Sequence, residues 1–136
     1  MQVFLSHSSK DRDLIRKITD ELKRAGMDVW DDTREIWSGD NWAQMTSQAL
    51  EESQAMVVLL TPESMDTKWI KWNIGFALGN IAYERRLIPV LVGDPNQFSK
   101  EQIPWIFKHL KVINLPDNGK NDENIKQIAD ALKAAA

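Results

Sequence analysis

The chain has 136 residues, a formal net charge of −3, two histidines and no cysteine. That length makes a single domain, 1–136, able to bury roughly two-thirds of its extended surface. Slight acidity with scattered Lys and Arg excludes a nucleic-acid footprint. The lack of cysteine excludes a disulfide framework and thiolate chemistry and fits a cytoplasmic protein. No apolar run approaches the roughly 18 residues of a membrane span, and no secretory signal pattern is present, so no membrane partner is expected.

Val3, Phe4, Leu5 and Ser6 make a short apolar strand, followed by a polar loop from His7 to Asp11. From Arg12 to Ala25, Leu14, Ile15, Ile18, Leu22 and Ala25 keep helical spacing, and Gly26 falls where a helix takes its C′ residue. Met27 to Trp30 reads as a second strand closed by Asp31 and Asp32, while 33–41 is too polar and Gly-broken for regular structure. Helical spacing resumes from Trp42 to Ser53 through Met45, Ala49 and Leu50. Ala55 to Leu60 is continuously apolar, as a strand buried on both faces should be. Leu87 to Val92 is another such strand, with Pro89 pointing to an edge or near-edge place. A short helical segment at 103–110, a last strand from Lys111 to Leu115 and a closing helix from Asn121 to Ala134 complete the chain. It starts almost directly on a strand and ends in Ala134, Ala135 and Ala136, which reads as a domain of a larger protein or assembly.

Between the third and fourth strands lies the stretch from Trp69 to Asn80. At helical period, Trp69, Trp72, Phe76 and Tyr83 form one stripe, and Ile70, Ile74, Leu78 and Ile81 cover most of the rest. Lys71, Gly75 and Ala82 are left as a thin outer face of a buried helix, with Asp66 or Thr67 as N-cap. Asn73 and Asn80 sit within the aromatic stripe. A buried amide without hydrogen-bond partners costs about 1–3 kcal/mol, so each needs a reason. One reason is structural, an amide fixing neighbouring backbone. The other is a polar, aromatic-walled ligand site at the helix's first turn, where loops open.

Five strands alternating with helices imply an α/β domain: a flavodoxin-like, doubly wound five-stranded parallel sheet with helices on both faces. Its default site is the set of loops at the strand C-termini, here His7 to Asp11, Asp31 to Asn41 and Thr61 to Lys68. A receiver domain shares this architecture but needs an acidic pair after strand one and a phosphoacceptor Asp after strand three. Ser6, His7 and Ser8, then Thr61 and Pro62, stand there instead. No Gly-rich phosphate cradle is present. Gly75 and Gly79 read as small residues that let the helix approach the sheet. His7 beside Ser6 and Ser8 is no triad, because strand neighbours face opposite ways. Two lone histidines without cysteine give no metal spacing.

Together these pieces resemble a bacterial Toll/interleukin-1 receptor (TIR) domain over nearly the whole chain. Val3 to Asp11 resembles that family's opening strand and loop, and Trp30 to Asp32 through Gly39 to Trp42 its second strand and BB loop. Ala49 to Ser53, Val57 to Ser64 and the spacing Trp69, Asn73, Gly75, Ala77, Leu78 continue the match. The resemblance implies consumption of NAD⁺ as substrate, with no further cofactor: the nicotinamide–ribose bond is broken by a glycohydrolase or ADP-ribosyl cyclase serving bacterial anti-phage defence. It places Ser8, Ser9, Trp37 and Trp69 around the substrate, with Trp69 as the flat aromatic wall. It makes the BB loop, with Ile36, Trp37 and Gly39, an assembly element for self-association with other TIR domains as a homo-oligomer or filament. A fused or associated sensor domain is the further partner it implies.

The sequence departs from the family at the catalytic position. The family's glutamate comes four residues after the helix tryptophan, and there this chain has Asn73. The amide is neutral and one methylene shorter, and no replacement carboxylate stands at the right place: Glu63 precedes the helix, and Glu35 and Asp40 lie in the BB loop. Two classes therefore stay open. One is an NAD⁺ hydrolase made inactive or crippled by Asn73; the other is a non-catalytic TIR–TIR assembly and signalling scaffold.

Overall fold

The structure is a computed structural model. It describes residues 2–7, 12–31, 48–62, 68–79, 83, 86–94, 98, 110–116 and 122–135, with the backbone alone at 31, 68–70 and 72. Five strands, β1 (Gln2–Ser6), β2 (Asp28–Asp31), β3 (Ala55–Leu60), β4 (Leu87–Val92) and β5 (Ile113–Leu115), form one sheet in the order β2-β1-β3-β4-β5. All four pairings are parallel. The helices are α1 (Arg12–Arg24), α2 (Lys68–Leu78) and α3 (Asp122–Ala135), and 48–52 is also helical. This is the doubly wound sheet expected from the alternation of apolar runs. The segments expected at 42–47 and 103–109 lie outside the described residues, and the last strand is shorter than expected, starting at Ile113.

Strand alternation sorts the core into two faces. Val3, Leu5, Val57, Leu59, Val90 and Val92 pack with Leu14, Ile18 and Leu22 of α1 and Ile125, Ile128 and Leu132 of α3. Phe4, Met56, Val58, Leu60, Leu87 and Leu91 pack with Ala49, Leu50, Tyr83 and Ile74 and Ala77 of α2. Phe4 and Trp30, direct neighbours across β1 and β2, stack at 4.9 Å between ring centroids. Helix α1 ends as its sequence requires. Gly26 has φ +86, the Gly26 N–H donates to the Lys23 carbonyl, and the Met27 N–H reaches back to that of Leu22. This double closure satisfies the helix's last carbonyls and needs a residue at ease with positive φ. Pro89 sits in the penultimate strand; pairing with β5 begins only at Val90, so its missing N–H interrupts no described pair on that side.

Helix α2 is less enclosed than its composition implies. It ends at Leu78, so Tyr83 lies beyond it, although the Tyr83 ring still meets Phe76 edge-on at 6.0 Å. Ile74 and Ala77 face the sheet, whereas Lys71, Gly75, Leu78 and Gly79 are exposed, Leu78 by 47%. A Cβ at Gly75 would meet nothing within 4 Å. The two glycines therefore do not bring the helix close to the sheet, because helical phase turns them to the opposite side from Ile74 and Ala77.

Candidate functional site

Because every strand is parallel, the C-terminal ends of all five lie on one edge, where ligands bind in doubly wound sheets. Ser6 is the last residue of β1 and is level with Val58 of β3. Alternation puts Ser6 on the same face as Phe4 and Val58, the face that α2 covers. Asn73, halfway along α2, lies on the inner side of that helix beside Ile74. Both Ser6 and Asn73 are fully buried, and the Asn73 Nδ2 donates to the Ser6 Oγ at 2.7 Å. Among the described residues the Asn73 Oδ1 has no hydrogen-bond partner although it is shielded from solvent. Buried side-chain oxygens in native proteins are nearly all paired, so an orphan acceptor is informative.

A second polar group on the same face is fully paired. The Tyr83 hydroxyl donates to the Leu50 carbonyl, the Ser53 Oγ donates to the Ala49 carbonyl at 2.7 Å, and the Gln2 Nε2 donates to Ser53 at 2.9 Å. Burial pushes the Tyr83 phenol from the ordinary 10.0 up to about 12, with a hydrogen bond to Ser53 acting the other way. This network sits at the N-terminal edge of the sheet, beside the first residue of β1 and just before β3. It ties elements together, and among the described residues none of its buried side-chain polar atoms lacks a partner.

The structure thus brings Asn73 to the edge where a site was expected and joins it to Ser6, a partner the sequence reading did not single out. Its signal was available: Ser6 closes the apolar run of β1 that starts at Val3, and Asn73 stands beside Ile74 in a largely apolar helix. The Trp69 backbone lies in the first turn of α2, one turn before Asn73; its side chain is outside the described residues. So are Ser8, Ser9, Ile36, Trp37 and Gly39, the carboxylates Glu35, Asp40 and Glu63, the amide Asn80, and the N-cap residues Asp66 and Thr67. Among the described residues no helix is long and apolar enough to cross a membrane.

Comparison with known proteins agrees with this architecture. The sequence profile described as TIR domain matches residues 3–134. The NAD(+) hydrolase TcpC of Escherichia coli is 26% identical over 82 residues, 60% of this chain and 27% of that protein. The 2′ cyclic ADP-D-ribose synthase BtTIR of Bacteroides thetaiotaomicron is 24% identical over 101 residues, 74% of this chain and 34% of its own. Among solved structures, the TIR-STING receptor of C. gigas with 2′,3′-cGAMP superposes with a TM-score of 0.68 at 23% identity, covering 93% of this chain and 38% of that one. The TIR domains of the activated Roq1 resistosome give 0.58 at 18% identity, covering 95% and 83%. These likenesses to solved structures concern the fold. The chain spans about a quarter to a third of the length of the curated relatives it matches. With a profile that covers nearly every residue and a sheet in the order β2-β1-β3-β4-β5, this chain belongs to the TIR domain family.

Proposed function

We propose that this domain is a TIR domain of the NAD⁺-consuming type, binding NAD⁺ at the C-terminal edge of its sheet, and that Asn73 leaves it with little or no cleavage of the nicotinamide–ribose bond. The observation that carries the reading is the buried Asn73 amide at the C-terminal edge of the sheet, with its nitrogen bound to Ser6 and its oxygen unpaired among the described residues. An amide oxygen accepts a hydrogen bond from a ribose hydroxyl. It cannot supply the negative charge that stabilises an oxocarbenium-like transition state, where positive charge grows at the anomeric carbon. Relatives named as an NAD(+) hydrolase and a 2′ cyclic ADP-D-ribose synthase support the substrate class. In this reading Trp69 is the aromatic wall, and Ser8, Ser9 and Trp37 line the pocket. The cellular role is anti-phage defence in the bacterial cytoplasm, triggered through a fused or associated sensor domain.

The test is incubation with NAD⁺ at high protein concentration, for this chain and for Asn73→Glu side by side, with nicotinamide release as the readout. Binding without turnover is expected from the chain as written: NAD⁺ quenches tryptophan fluorescence, and Trp69→Ala removes the response. Brisk NAD⁺ loss that survives Asn73→Ala would overturn the reading and point to Glu35.

A second reading is a non-catalytic scaffold working by TIR–TIR contact, favoured by the exposed Leu78 and the neutral, tethered Asn73. It makes the BB loop, with Ile36, Trp37 and Gly39, the assembly element. Trp37→Ala is then expected to weaken concentration-dependent self-association while leaving the fold intact. Light scattering that finds the parent chain monomeric at every concentration sinks this alternative.

A further inference from the structure

We infer that Ser6 is a positioning residue for Asn73, and that the two together read one hydroxyl of a ribose. The second half rests on the NAD⁺ reading above. An amide can turn either end toward a neighbour, and which end is held decides what remains for a ligand. Here one Nδ2 proton donates to the Ser6 Oγ at 2.7 Å, so the nitrogen end of the amide is held toward Ser6 and, among the described residues, the oxygen is left over. Serine carries one donor and two acceptor lone pairs. Its acceptor is used by Asn73, and among the described residues its own proton has no acceptor. An unpaired acceptor and an unpaired donor therefore stand side by side at the C-terminal end of β1. A hydroxyl, which donates and accepts through one oxygen, satisfies both at once. A carboxylate or phosphate satisfies only the donor and is repelled by the amide oxygen; an ammonium satisfies only the acceptor. Because both side chains are fully buried, the sugar must open this edge to reach them.

The position of Ser6 explains the division of labour. It ends β1 on the face that α2 covers and pairs in register with Val58, so its Cα is held by the ladder rather than by a loop. A side chain anchored there fixes residue 73 across the layer between sheet and helix. The same hydroxyl, by rotating its proton, donates to a carboxylate at position 73 in Asn73→Glu.

The experiment uses Ser6→Cys, which keeps the shape and weakens the hydrogen bond, with Ser6→Ala as the second variant. The side-chain amide resonances of Asn73 report positioning directly. They are expected to be distinct and protected from exchange in the parent, and shifted and less protected in Ser6→Cys. Unchanged resonances overturn the positioning role. For the ligand, the probes are NAD⁺ and an NAD⁺ analogue whose nicotinamide ribose lacks its hydroxyls. The parent is expected to prefer NAD⁺ by about tenfold for each of the two hydrogen bonds the hydroxyl makes, and the Ser6 variants to lose most of that preference. A preference undiminished in the Ser6 variants overturns the hydroxyl-reading role. If the parent binds no NAD⁺, the functional reading and the ribose half fall together, while the Asn73 resonances still decide whether Ser6 positions the amide.

Discussion

One face of the sheet carries polar side chains at both ends, and the two ends are finished differently. At the N-terminal edge, Gln2, Ser53 and Tyr83 each find a partner, and the Gln2 N–H donates to the Gln54 Oε1 at 2.9 Å. At the C-terminal edge, among the described residues, Asn73 has one partner and one orphan oxygen. Satisfied polar groups join segments far apart in sequence, as Tyr83 joins Leu50. An unsatisfied one lowers stability by about 1–3 kcal/mol, a cost that selection for folding alone gives no reason to keep. The contrast separates an end whose polar groups are paired from the end where the function proposed above puts the ligand.

The largest expected effect tests the binding end. Asn73→Glu is expected to raise nicotinamide release over the chain as written by about 10²–10³, the scale of one preorganised electrostatic group. Equal rates in the two proteins would show that charge at position 73 is not what the site lacks.

The structural end is tested by alkaline pH. Below pH 10 the Tyr83 phenol is protonated in both folded and unfolded chains. Between 10 and about 12 the unfolded chain loses that proton while the folded one keeps it, so stability falls as pH rises. The loss is about 2–3 kcal/mol from a shift of this size. Thermal melts across that window should show the extra alkaline loss in the parent and not in Tyr83→Phe. Parallel curves for the two proteins would contradict it.

A smaller change sharpens the comparison from the other side. Ser6→Ala combined with Asn73→Leu removes both partners and the orphan oxygen together, and is expected to stabilise the domain by about 1–3 kcal/mol in denaturant melts while ending any NAD⁺ response. Ser53→Ala, which strands the partially buried Gln2 amide, is expected instead to destabilise by about 1 kcal/mol. The same sign for both edges would erase the distinction. Smallest of all, Gly75→Ala on the open outer side of α2 should stabilise by about 0.5–1 kcal/mol, since helical glycine costs that much relative to alanine and a Cβ there meets nothing. A loss of stability there would mean that this face is covered.

The order of elements was legible from local pattern, since apolar runs at Ala55–Leu60 and Leu87–Val92 need two covered faces and Gly26 needs a helix to end. Those are short-range demands of strand, helix and cap, and the residues meet them within a few positions of themselves. The interest of Asn73 was also legible, as a polar residue in an apolar helix four places after Trp69. What the residues alone did not reveal were relations across the sheet. Composition left α2 only a thin outer face at Lys71, Gly75 and Ala82, yet packing also put Leu78 and Gly79 outside. Tyr83 reads as the tail of a helical stripe, but the helix stops at Leu78 and its hydroxyl goes to Leu50. Ser6 and Asn73 are 67 positions apart, and only the parallel crossover that lays α2 over β1 and β3 makes one the partner of the other. Hydrogen bonds are directional and short, so which polar groups meet is decided by the assembled layers, after local propensity has done its part.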